Sequence, residues 1–221
     1  MKNFILILFA LLMLVGGVYC KGVSADTLTP KCDYYTDNIT KLSTEKYEQD
    51  VTGTVCASQD KKSFIQIKNG LAHGNSKLYY KSGALQVEGN YKNGKQEGIE
   101  KLYFESGALQ AEVNFKNGQP EGIGKLYYES GALQKELNFK NGKPEGIYKE
   151  YYESGALKAE ANYKNGKQEG ITKVYDANGG FFLAVTYKNG KAVSGICANG
   201  KKLNNAELSN WENDLSVDCG Y

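Results

Sequence analysis

The sequence contains no arginine: all 27 basic side chains are lysine, and there is one histidine, His73, and one tryptophan, Trp211. Without arginine there is no planar guanidinium to grip phosphate at two points. Setting aside Lys2 and Lys21, which belong to the leader segment described below, leaves 25 lysines against 25 acidic groups. The remaining chain therefore has no net field to draw nucleic acid or anionic lipid. A single histidine also leaves nucleophilic and metal-assisted chemistry short of a base or ligand, and no Ser, Cys or carboxylate recurs at nucleophile or metal-ligand spacing. The expectation is a protein that is not an enzyme, needs no cofactor and binds no nucleic acid.

Long apolar runs are scarce as well. The unbroken stretch Phe4–Val15 falls short of the roughly 20 residues that cross a bilayer. With Lys2 before it and the small residues Val23, Ser24 and Ala25 after it, it reads as a cleavable secretory signal over residues 1–25. Two other readings stay open: lipidation at Cys20, although Tyr19 before it is bulkier than a lipobox allows, and a membrane-spanning helix. Either processing route leaves Cys32, Cys56, Cys197 and Cys219, an even number in a compartment where disulfides form. The expected pairs are Cys32 with Cys56 and Cys197 with Cys219. The expected location is exported: periplasmic, secreted or at the cell surface, with membrane contact only if Cys20 is lipidated.

What the sequence has in abundance is repetition. Lys-Asn-Gly recurs at Lys68, Lys92, Lys116, Lys140, Lys164 and Lys188, always 24 residues apart. Between these lies Ser-Gly at Ser82, Ser106, Ser130 and Ser154, replaced by Asn178-Gly179 in the fifth copy. Glycine tolerates positive φ, so glycines at fixed intervals between apolar-rich runs mark reversals of direction. Each copy is then two strands and two turns. In the second copy the strands are expected at about residues 99–105 and 108–115. The latter alternates Leu109, Ala111, Val113 and Phe115 against Gln110, Glu112 and Asn114, one buried face and one wet face.

A two-residue turn at Ser106-Gly107 sets Phe104 opposite Leu109, Tyr103 opposite Gln110, Leu102 opposite Ala111 and Lys101 opposite Glu112. The same count joins Lys77 to Glu88, Lys125 to Glu136 and Lys149 to Glu160. A slip of one residue would oppose Glu100 to Glu112 and mix the faces. One copy buries too few side chains to offset the entropy of ordering it, so neighbouring copies must stabilise one another.

The expected fold is all-β: an elongated single-layer antiparallel sheet of stacked β-hairpin repeats with a short C-terminal capping helix. It divides into a signal at 1–25, an N-terminal cap at 26–66, five repeats and the start of a sixth at 67–195, and a C-terminal cap at 196–221. In that last segment Leu208, Trp211 and Leu215 fall at helical spacing after Asn204 and Asn205, either of which can cap a helix. Such a helix would cover the last open strand edge.

The wording of the repeat, Tyr-Lys-Asn-Gly-Lys-Gln-Glu-Gly-Ile at 91–99 and 163–171 followed by Lys-x-Tyr and Ser-Gly or Asn-Gly, resembles the MORN-repeat variant of bacteria over about residues 67–195. The resemblance implies stacked hairpins and protein interaction or scaffolding rather than catalysis. Some bacterial proteins with these repeats are labelled antitoxins, a label at odds with a secretory signal. MORN proteins of animals and plants contact acidic lipids, but this chain lacks their arginine and positive charge.

Candidate functional residues are few. His73 sits in a turn where later copies carry Glu and reads as a solvated surface residue. Glu97, Glu121, Glu145 and Glu169 beside turns, and Glu88, Glu112, Glu136 and Glu160 opposite lysines, recur as parts of the repeat rather than as the single carboxylate pair of a glycosidase. The glycine turns lack the following helix that a phosphate cradle needs, and Asn38-Ile39-Thr40 reads as a chance glycan motif. The feature that points to binding is a tyrosine ladder, Tyr79, Tyr103, Tyr127, Tyr151 and Tyr175, on the polar face beside Gln86, Gln110 and Gln134. Its alternative reading is strand filling. The opposite, apolar face needs cover from sheet twist, the N-terminal segment or a partner, which includes self-association. The leading functional expectation is an exported interaction module for another protein. The alternatives are a cell-wall or polysaccharide binder and an antitoxin-like neutraliser of a partner protein.

Overall fold

The computed structural model describes residues 34–36, 52–57, 63–214 and 217–220. The signal segment, Cys20, Cys32, Asn38-Ile39-Thr40 and Leu215 lie outside the described residues. Those described fall into two compact units, one within Met1–Leu109 and Phe115–Gln119, the other within Gln110–Asn114 and Pro120–Tyr221.

The Asn-Gly turns come directly from local chemistry. Asn93 and Gly94 both take positive φ, 51° and 77°, the type I′ turn whose twist matches the strands it joins. Asn is the side chain that enters this region at least cost. The turn pairs Lys92 with Lys95, and Asn141-Gly142 likewise pairs Lys140 with Lys143. Each turn also leans on the one before it: the Gly118 N–H donates to the Gln96 carbonyl at 2.9 Å and the Gly166 N–H to the Pro144 carbonyl at 2.9 Å.

The second turn differs from expectation. The Tyr128 N–H donates to the Ala132 carbonyl at 2.8 Å and the Gly131 N–H to the Tyr128 carbonyl at 2.9 Å. The loop is therefore three residues, Glu129, Ser130 and Gly131, with Gly131 at φ 86°, a type I turn closed by a glycine bulge. Near the loop Tyr127 consequently opposes Leu133, not Gln134. A β-bulge one step further restores the count, so Lys125 opposes Glu136 as expected. The same shift occurs between Leu78 and Tyr79, and the Lys77–Glu88 and Lys149–Glu160 pairs hold.

In the first unit, β1 (Tyr34–Thr36) runs parallel to β2 (Gly53–Ala57), a departure from the expected antiparallel arrangement. From β2 the chain continues antiparallel through β3 (Phe64–Lys68), β4 (Leu71–Tyr79), β5 (Leu85–Lys92) and β6 (Lys95–Gln96), and β7 (Gly98–Tyr103) pairs back onto β5. Val55, Ile65, Ile67 and Ala72 form its core, with Tyr91 packed against them. Cys56 is disulfide-bonded. β8 (Leu109–Lys116) and β9 (Gln119–Pro120) have residues in both units.

The second unit continues with β10 (Gly122–Tyr127), β11 (Leu133–Lys140), β12 (Lys143–Tyr151), β13 (Leu157–Lys164), β14 (Lys167–Gln168), β15 (Gly170–Tyr175), β16 (Phe181–Lys188) and β17 (Lys191–Cys197), then α1 (Asn205–Asp214). Asn204 is the cap: its Oδ1 accepts from the N–H groups of Ala206 and Glu207, and Glu207 accepts the Asn204 N–H in return, a capping box. Leu208 and Trp211 bury against Leu183, Val185, Tyr187 and Leu203, and the Trp211 Nε1–H donates to the Tyr187 hydroxyl at 3.0 Å. Glu212 accepts the Ala192 N–H at 2.5 Å and Lys202 bridges to Ile196, so this segment does cover the β17 edge. The expected Cys197–Cys219 disulfide is present, its Cα atoms 5.8 Å apart.

The apolar face, which the sequence left in need of cover, is covered. Ala111, Val113, Leu126, Leu137, Phe139, Ala159, Ala161 and Tyr163 are all buried. Gly124 leaves room for Phe139 and Val113, and Tyr148, whose cross-strand partner is the small Ala161, meets Tyr163 edge to face.

Candidate interaction surface

On the opposite face, cross-strand pairing builds rows of like positions. In the first unit Glu88 lies between Lys77 and Lys101, with Lys77 Nζ 3.4 Å from its carboxylate. The Tyr103 hydroxyl donates to Glu88 at 2.7 Å. That hydrogen bond, more than the two lysines, holds the Glu88 carboxyl below its usual range against some desolvation.

In the second unit the row runs Glu112, Lys125, Glu136, Lys149, Glu160, Lys173, each residue paired with the next. The signs alternate without a break. Two residues along the strands, on the same face, Ile123 pairs with Asn138, Ile147 with Asn162 and Ile171 with Thr186. These isoleucines are 58%, 56% and 54% exposed. Reading the repeat by its tyrosines and charges missed this row. Its signal was the Gly-Ile that follows each acidic turn residue, at Ile99, Ile123, Ile147 and Ile171.

The tyrosine ladder lies on this face and is half-buried throughout. Tyr151 repeats the Tyr103 contact, its hydroxyl donating to Glu136 at 3.2 Å. Burial first, then the Glu136 charge, pushes its phenol up. Tyr175 stacks edge to face on Phe181, ring centres 6.3 Å apart. A second tyrosine set, missed in the sequence, staples copies together: the hydroxyls of Tyr80, Tyr128 and Tyr152 donate to the carbonyls of Tyr103, Tyr151 and Tyr175.

The turn carboxylates also join copies. Glu97, Glu121, Glu145 and Glu169 accept the backbone N–H of Asn117, Asn141, Asn165 and Asn189. His73 stands in the same relation to Asn93, its Nδ1 3.5 Å from that nitrogen.

Two acidic groups lie on the covered face, where the consensus gives no warning. Glu150, at the position of Leu102 and Leu126, pairs across strands with Lys135, at the position of Ala111. It accepts the Tyr148 hydroxyl at 2.7 Å and lies 3.0 Å from Lys158 Nζ. Desolvation acts against its charge, but Tyr148, Lys135 and Lys158 together hold its pKa below the usual range. Lys158 occupies the Gln110 and Gln134 position, so the bulge turns that position toward Glu150. Glu100 accepts a hydrogen bond from Gln96 Nε2 at 2.5 Å, and desolvation pushes its carboxyl up to about 7. Among the described residues, no three His, Cys, Asp or Glu side chains gather as a metal site requires, and no helix is long and apolar enough to cross a membrane.

Fold and surface together define a tandem array of short hairpins that bond copy to copy and expose one ordered face. Residues 72–93, 96–117, 120–141 and 144–165 each match the MORN repeat variant: the chain carries four tandem MORN repeats, a class of interaction module. The fifth copy lies beyond the matched residues. No curated protein matches the sequence. Among solved structures, accessory secretory proteins 1, 2 and 3 of Streptococcus pneumoniae align at 16% identity and a TM-score of 0.29, over 45% of this chain and 18% of that one. S. aureus TarM with fondaparinux, α-GlcNAc-glycerol and UDP aligns at 14% and 0.28, over 55% and 22%. The chain thus spans about a fifth of the length of these structures, and at such scores the likeness carries no argument.

Proposed function

We propose that the protein is an exported, non-catalytic repeat scaffold that holds another protein against its open face, at the cell surface or in the periplasm. The observation that carries this reading is the row Ile123, Ile147 and Ile171, each more than half exposed beside an alternating row of charges. Apolar side chains ordered in a line and rimmed by polar groups suit a protein partner. The Cys197–Cys219 disulfide fits an oxidising compartment. A polysaccharide partner is less well served, because the tyrosine rings are half-buried and the Tyr103 and Tyr151 hydroxyls are engaged by glutamates.

The test compares the wild-type chain with an Ile123→Ser, Ile147→Ser, Ile171→Ser variant in capture from the native exported fraction, alongside sedimentation with purified cell wall. A protein held by the wild type and released by the variant supports the reading. Binding to cell wall that ignores the three substitutions contradicts it.

A further inference from the structure

The charged row of the second unit has a property that neither row of isoleucines nor ladder of tyrosines has alone. Read from one end it runs Glu112, Lys125, Glu136, Lys149, Glu160, Lys173. Read from the other it is the same pattern with every sign reversed. The neighbouring row alternates in step, with Ile123, Ile147 and Ile171 on the lysine strands and Asn114, Asn138 and Asn162 on the glutamate strands.

From this we propose that the open face of the second unit pairs with the same face of a second copy of the chain. The inference rests on the reading of that face as an interaction surface and names its partner. Turn the second copy by half a turn about an axis that runs along the strands and passes between Glu136 and Lys149. Rows then stay opposite rows while strand order reverses. Glu136 faces the second copy's Lys149, Lys125 faces its Glu160, and Glu112 faces its Lys173. Ile147 falls on Asn138 and Ile123 on Asn162, so each isoleucine seats between two of the opposing copy, as in aligned face-to-face sheets. An axis running across the strands would instead set Lys149 against Lys149 and Glu136 against Glu136, and like charges across an interface oppose association. The charge pattern thus selects one self-complementary, two-fold arrangement, which closes at a dimer.

Size sets the strength. Six strands at roughly 4.8 Å spacing and about four residues at roughly 3.3 Å cover a footprint on the order of 300 Å², below the roughly 800 Å² per partner of stable complexes. The dimer is therefore weak, with a dissociation constant above roughly 1 μM.

Sedimentation equilibrium of the oxidised full-length mature chain tests this. The wild type is expected to move from monomer toward dimer as concentration rises to roughly 0.5 mM, and to return toward monomer as salt screens the row. Ile147→Asp, Lys149→Glu and Glu136→Lys should each raise the dissociation constant roughly tenfold or more, with circular dichroism unchanged. Mixing Lys149→Glu with Glu136→Lys should restore the dimer, because two acidic positions of one chain then face two basic positions of the other. Recovery on mixing reports the interface and not folding. A wild type that stays monomeric throughout, a dimer indifferent to Ile147→Asp, or a mixture no stronger than its components overturns the proposal. If the wild type stays monomeric while the triple isoleucine variant still loses a different protein, the second copy is the wrong partner and the interaction-surface reading survives.

Discussion

Glu145 and Asn165 stand 20 residues apart, and the Glu145 carboxylate accepts the Asn165 backbone N–H at 2.7 Å. The amide it receives belongs to a residue at φ 51°, so the contact secures the next copy's turn in its left-handed conformation. Glu145→Ala should cost about 1 kcal/mol, since the bond is charge-assisted but solvent-accessible. Glu145→Gln should cost less because it keeps an acceptor. Urea unfolding followed by circular dichroism measures both, and an unchanged midpoint for the alanine variant would show that the contact adds nothing.

Glu150 and Lys135 make a compensating pair on the covered face. Removing Glu150 takes an acceptor from Tyr148 and a counter-charge from both Lys135 and Lys158 on a desolvated face, so Glu150→Ala should lose about 3 kcal/mol. The double change Lys135→Ala with Glu150→Leu, which restores the residues found at Ala111 and Leu126, should recover most of that loss. Thermal unfolding of the single and double variants gives the comparison. A double variant no more stable than the single one would mean the charges are not coupled.

Glu100 gives the stability a pH dependence of definite sign. Its pKa rises on folding from 4.5 to about 7, so the folded chain holds a proton that the unfolded chain has released. Stability from this group is fully present below 4.5 and is lost as pH climbs through about 7. The loss amounts to about 3 kcal/mol. Glu100→Gln should flatten this segment of the stability curve and stabilise the protein at pH 8. A variant with the same slope as the wild type would place the proton elsewhere.

Trp211 is the only tryptophan, and it is buried within the cluster that contains Cys197 and Cys219, whose disulfide spans 22 residues. Its emission therefore reports the C-terminal cap and the β16 residues the cap packs on. Cys219→Ser should lower the midpoint of the Trp211 transition by an amount equivalent to about 3 kcal/mol, with smaller effect on the far-ultraviolet signal of the repeats. Coincident transitions in wild type and variant would indicate that the cap is not a separate stabilising device.

Much of this architecture is legible in the sequence because it is written several times over. Lys-Asn-Gly names a type I′ turn by chemistry, and the Lys77–Glu88 and Lys149–Glu160 pairs hold because opposite charges and apolar alternation agree on one register. Ser-Gly misled. Gly131 is the closing residue of a three-residue loop, and only the bulge beyond it returns Lys125 to Glu136. Counting residues cannot separate two compensating shifts from none. How the apolar face is covered was not legible, because the fit of Gly124 to Phe139 and of Ala161 to Tyr148 is not carried by a binary pattern. The burial of Glu100, Glu150 and Lys135 escaped notice because comparing copies for what they share hides where one copy departs. Lys135 and Glu150 depart together, at positions that the register itself makes neighbours.

In the proposed function the isoleucine row of the open face is where the protein meets its partner. A photo-cross-linking side chain placed at Ile147 in the intact chain, expressed in its native host, puts this to the test. A discrete protein adduct is expected at Ile147, either a second copy or another protein, that disappears when Ile123 and Ile171 are both changed to Ser. An adduct to cell-wall glycan, or no adduct at Ile147 while the same probe at exposed Phe181 captures a protein, would contradict it.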